Sequence, residues 1–131
     1  MPNANANNGE GDDWCLDRVG RTIILLGRVW EEKILLDHAE MHGSVDSVVN
    51  TIESPDIYAR DRVHSDREVF YRWAVLPPPD DDRYLKVVVA YHEDDTGLVI
   101  GRVVTAFAVD FLPRGESKLW IRPGFNLHSP R

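Results

Sequence analysis

Lys33, His38, Glu40 and His42 crowd one short stretch of the chain, and Tyr71, Arg72 and Thr105 stand on segments further along. These side-chain types can cleave RNA without a metal. The reaction needs a base for the ribose 2′-hydroxyl, an acid for the departing 5′-oxygen and a cation for the charge on phosphorus. His38 is the candidate acid or base, because imidazoles titrate close to neutral pH. Lys33 and Arg72 are candidates for a phosphate clamp, Thr105 for a hydrogen-bond donor, and Tyr71 completes the set.

Each residue also has a structural reading. Tyr71 shares a strand face with Val69 and Trp73 and reads more readily as core than as catalytic. Arg72 faces the other way, with Phe70 and Ala74, where a charge needs a partner or a purpose; both readings stand. Thr105 suits a strand on propensity alone, which is the favoured reading. Lys33 can pair with Asp37 one turn on. His38 and His42 are four apart, so a helix would show both on one face, a spacing that can hold a metal. No third ligand follows at fixed spacing, and His64, His92 and His128 are scattered. The expectation is therefore no metal and no cofactor, with both histidines at the surface or near a helix end. Glycine loops for phosphate, GxSxG, HExxH and paired CxxC are all missing from the sequence.

The elements that must position these groups follow from periodicity. Thr22 to Leu26 is a short aliphatic run that reads as a strand or as a helix entry. Trp30, Ile34, Leu35, His38 and Met41 fall at helical spacing, so a helix is predicted over 29–41, ended by Gly43. Ser44 reads as the N-cap of a second helix whose apolar face is Val45, Val48, Val49 and Ile52, closed by Pro55. Beyond it the period becomes two. Strands are predicted over 57–61, 68–76, 84–91 and 98–109, with Gly101 marking a bulge in the last. This predicts an α+β fold: two N-terminal helices on a roughly four-stranded antiparallel sheet.

The domain is expected over 20–112. Residues 1–19 read as a disordered acidic tail and 113–131 as a C-terminal extension, in which Trp120 and Phe125 either fold back or anchor a partner. With 131 residues, one domain can bury an adequate core without disulfides. The single cysteine, Cys15, suits a reducing compartment, so a cytoplasmic location is expected, with no membrane span. The net charge of −7 argues against a general nucleic-acid binder. Arg60, Arg62, Arg67 and Arg72 form a local basic run, although Asp61, Asp66 and Glu68 interleave with it.

Five segments, in order, resemble one family. Residues 30–41 (WEEKILLDHAEM) resemble its "W..HI..rHPE" helix, and residues 51–57 (TIESPDI) its "tI..Pd.I". Phe70-Tyr71-Arg72 resembles "yYR", residues 84–89 (YLKVVV) resemble "ylkVVV", and residues 103–107 (VVTAF) resemble "viTAy". The pattern is similar to the phage barnase–EndoU–colicin–RelE-like (PBECR) nucleases and covers roughly residues 29–112. The resemblance implies a toxin-type, metal-independent endoribonuclease acting on RNA. It assigns His38 to the helix histidine, Arg72 to the strand arginine and Thr105 to the last-strand threonine. Lys33 stands where a histidine is common, and Ala39 replaces a proline. An antitoxin partner is part of the expectation. The alternative is a catalytically silent protein-interaction module on the same fold.

Overall fold

The structure, a computed structural model, describes residues 11–130. Seven strands form one mixed sheet: β1 (Asp13–Leu16), β2 (Thr22–Leu25), β3 (Ile57–Arg60), β4 (Arg67–Trp73), β5 (Tyr84–Glu93), β6 (Val99–Val109) and β7 (Ser117–Ile121). Their order is β1-β2-β6-β5-β4-β3-β7. All neighbours are antiparallel except β2 and β6, which are parallel. This corrects the expected two helices on a four-stranded antiparallel sheet. Strands β1 and β2 precede the helices, and β7 comes from the expected extension, so three strands were added to the four read from period-two patterning.

Two boundaries change with it. Within the expected tail over 1–19, residues 13–16 form β1, with Asp13 and Cys15 facing inward; residues 1–10 lie outside the described part. In the extension, Trp120 packs against the main core and Phe125 against the other face, so both fold back.

The sheet is curled. Arg21, beside β2, donates to Glu68 on β4 at 2.7 Å and to the Tyr58 hydroxyl on β3 at 2.7 Å. Arg18 lies 3.9 Å over the Trp120 ring on β7. Strands about 4.8 Å apart in a flat sheet would hold β2 and β7 more than about 20 Å apart, beyond the reach of one side-chain pair. The sheet therefore has an inner and an outer face. The inner face carries Ile23, Phe70, Leu85, Val87, Val89 and Val103, closed by Trp30, Ile34, Met41, Val48 and Ile52 from the helical segments. The outer face carries a smaller cluster of Ile57, Val69, Tyr71, Tyr84 and Val88, over which Leu112, Phe125 and Leu127 pack.

The first helix spans residues 27–37 and widens into a π turn at Trp30–Ile34. Helical geometry stops at His38 (φ −137°, ψ 82°), and Ala39–Met41 form a separate 3₁₀ turn. The predicted continuous helix over 29–41 is thus broken, and His38 and His42 do not share a helix face. The second helix is Val45–Glu53; Ser44 precedes it without a side-chain capping bond. The bulge in β6 lies at Val104, where the register skips between Val103 and Thr105, rather than at Gly101. Gly101 is glycine for another reason: a Cβ there would sit 2.5 Å from Ile23 Cδ1 and 2.7 Å from Val89 Cγ1. It lets β2 press against β6.

Candidate functional site

Strand β2 pairs with β6 only through Thr22–Ile24 and Ile100–Arg102, so among the described residues no strand pairs with residues 104–109 of β6 on that side. Side chains from the first helical segment take its place. Lys33 Nζ donates to the carbonyl of the bulged Val104 at 2.9 Å, and Glu40 Oε2 accepts the Ala108 amide at 3.0 Å. The Ala108 amide is part-buried and needs such a partner, whereas the bond to the Val104 carbonyl lies at the exposed edge. The two bonds fix the segment between Lys33 and Glu40 against the edge, and His38 lies within it.

The His38 amide closes the helix on the Ile34 carbonyl at 2.8 Å, and its ring stacks on Phe107 with centroids 4.8 Å apart and planes 21° apart. Register continues the row across the outer face: Phe107 stands opposite Lys86, and Lys86 opposite Tyr71. The Lys86 ammonium lies 5.5 Å from the Tyr71 ring and 5.9 Å from the Phe107 ring. It pairs with Glu116 Oε2 at 2.9 Å, and the Tyr71 hydroxyl donates to Glu116 Oε1. Burial, then the carboxylate of Glu116, pushes the Tyr71 hydroxyl far up from its ordinary range. Asp61 contributes its charge to the same surroundings. Partial burial pushes its carboxyl up, but the amides of His64 and Val63 outweigh this and hold it below the usual range. Thr105 lies two residues before Phe107 on the same strand and face, opposite Val88 and half-buried.

The structure therefore gathers His38, Thr105 and Tyr71 on the outer face, with Lys33 at the adjoining edge. Tyr71 is core there, fully buried and bonded through its hydroxyl. Arg72 is not gathered with them. It stands opposite Leu85, an inner-face residue, and donates to the Ser54 carbonyl at 3.2 Å near the end of β4. The basic run does not form one patch either, since Arg67 and Arg72 sit at opposite ends of the paired length of β4. Sequence reasoning missed Lys86 and its partner Glu116. A lysine inside the apolar run over 84–91 was the available signal, since a charge there requires a partner.

His42 is exposed, and among the described residues no group of three His, Cys, Asp or Glu side chains is placed to hold a metal ion. Among them, too, no helix is long and apolar enough to cross a membrane. No protein-family model, curated protein or solved structure matches this chain.

Proposed function

We propose that this domain is a metal-independent endoribonuclease whose chemistry takes place on the outer face of the sheet, beside β6. The observation that carries the reading is the placement of His38 on Phe107, with Thr105 next along the strand and Lys33 at the edge. An imidazole flat on an aromatic ring keeps its nitrogens at the ring's rim, available to a proton donor or acceptor. In the proposed step the ribose 2′-oxygen attacks phosphorus as His38 takes its proton. The P–O5′ bond breaks, the 5′-oxygen gains a proton from solvent, and a 2′,3′-cyclic phosphate remains. Lys33 offsets charge on the phosphate and Thr105 donates a hydrogen bond to it. The five-segment resemblance to the PBECR nucleases supports the same assignment of His38 and Thr105. Arg72 lies on the opposite face, so it has no part in this clamp.

The test is cleavage of total RNA by the purified chain in excess EDTA. Loss of an acid–base group costs about 10²–10⁴-fold, the change expected for His38→Ala. Thr105→Val, which removes one neutral hydrogen bond, is expected to cost about tenfold. A folded chain that cuts RNA equally well with and without His38 would overturn the assignment.

A second reading is a catalytically silent protein-interaction module. It is favoured by Glu116, which already neutralises Lys86 in the row. Folded wild type that cleaves no RNA in the same assay would put this reading first.

A further inference from the structure

Strand β4 ends at Trp73, and Ala74 leaves it with φ 61°, a left-handed conformation that a non-glycine residue rarely takes. The chain swings away there and rejoins through the Ala74 amide on the Arg83 carbonyl at 3.0 Å. The swing opens a cleft of about 510 Å³. One buried carboxylate ties its walls together. Asp56 Oδ2 accepts the Trp73 amide at 2.8 Å, and Oδ1 accepts Arg122 Nε at 2.6 Å. The Arg122 amide returns to the Asp56 carbonyl at 2.8 Å.

Two arginines, Arg72 and Arg122, line this cleft. Arg72 uses one nitrogen, for a long bond to a backbone carbonyl. Among the described residues Arg122 bonds through Nε alone; its side chain is half exposed, and its guanidinium lies 5.4 Å from the Phe125 ring. Both oxygens of Asp56 are engaged, so among the described residues two cations line the cleft against one carboxylate, in a chain of net charge −7. Trp73 and Phe125 supply aromatic walls. Planar guanidinium forks match phosphate oxygens, and aromatic faces accept a nucleobase. The volume lies within the range of pockets for small organic ligands, roughly 300–1,000 Å³.

We infer that the cleft between Arg72, Arg122, Trp73 and Phe125 is a binding site for a nucleoside phosphate, its phosphate on the two guanidiniums and its base against the aromatic walls. The site does not depend on the cleavage reading, because none of its groups belongs to the His38 row. The ligand is either a free nucleotide or one residue of single-stranded RNA, and the two sources share this chemistry.

Calorimetric titration of the full chain tests it with the four nucleoside 5′-monophosphates, their nucleosides, inorganic phosphate and a hexauridylate. At least one monophosphate is expected to bind, with its nucleoside and inorganic phosphate each at least tenfold weaker. Arg72→Gln and Arg122→Lys are each expected to weaken binding at least tenfold; Arg122→Lys keeps a cation beside Asp56. Hexauridylate binding far tighter than uridine monophosphate assigns the site to RNA, and equal binding assigns it to free nucleotide. His38→Ala is expected to bind as wild type, which separates failure of this site from failure of cleavage. The inference is overturned if no monophosphate binds at millimolar concentration, if inorganic phosphate binds as well as the nucleotides, or if both folded arginine variants bind unchanged.

Discussion

On the inner face of the sheet, Ile23, Leu85, Val87 and Val89 meet Ile34, Met41, Val48 and Ile52 in a cluster of apolar side chains. On the outer face, Ile57, Val69 and Val88 share their layer with Tyr71, and Lys86 and Glu116 pair beside it. Each face buries strands of the same sheet, and each keeps partnered charges: Arg21 with Asp17 and Glu68 on the inner side, where Arg21 also bonds the Tyr58 hydroxyl, and Lys86 with Glu116 on the outer. The helix-covered cluster of the inner face gains from area removed from water, which is indifferent to direction. The outer face depends on hydrogen bonds with fixed partners, which hold side chains in place. His38, stacked on Phe107, and Thr105 stand on the outer face with the Tyr71–Glu116–Lys86 group.

The largest effect is expected where the inner face loses volume. Ile34 is fully buried, so Ile34→Ala should cost about 3–4 kcal/mol in urea unfolding. A cost below about 1 kcal/mol would mean that the helix does not seal the main core. The outer face is expected to fail differently. Lys86 and Glu116 have side chains 12% and 6% exposed, and Lys86→Met strands a buried carboxylate, at about 3 kcal/mol. Adding Glu116→Gln should recover most of that loss. If it does not, packing, not charge, governs this face. The smallest change tests the edge between the faces. Glu40→Ala removes the acceptor of the Ala108 amide and should cost about 1–2 kcal/mol, whereas Glu40→Gln, which keeps an acceptor oxygen, should restore it. Equal losses for both variants would show that the carboxylate charge is what matters.

Alternation made the outer-face parity of Val69, Tyr71 and Trp73 legible, along with the long strands β5 and β6. The contrary orientation of Arg72 was legible for the same reason. Strand β1 was not, because Asp13-Trp14-Cys15-Leu16 alternates for only four residues beside Asp12 and Asp17, so composition spoke for disorder. Strand β7 hides likewise, with its first three residues exposed. The break at His38 carries no glycine or proline to announce it, and the π turn upstream shifts the helix without altering its apolar spacing. Gly101 was legible as special, but its cause was a close approach from Ile23, a contact between segments 78 residues apart. The bulge fell instead on Val104, a β-branched residue with no mark in the sequence. At the site, Lys86 could be seen to need a partner. Which residue answers it depends on a return of the chain 30 residues later, which no local pattern encodes.

The contact of Arg18 with Trp120 joins positions 102 residues apart, and Arg21 reaches 37 and 47 residues ahead to Tyr58 and Glu68. The β5–β6 hairpin, by contrast, closes over a five-residue loop at 94–98. Loop-closure entropy must be overcome before a distant contact gives anything back, so the hairpin has a head start over the curl. The curl is therefore expected to form late in assembly. Until it is complete, Tyr58, Glu68 and Tyr91 lack their partners Arg21 and Asp17 from the β1–β2 turn. A nascent chain would carry Arg18 without its aromatic partner until the residues around Trp120 had emerged.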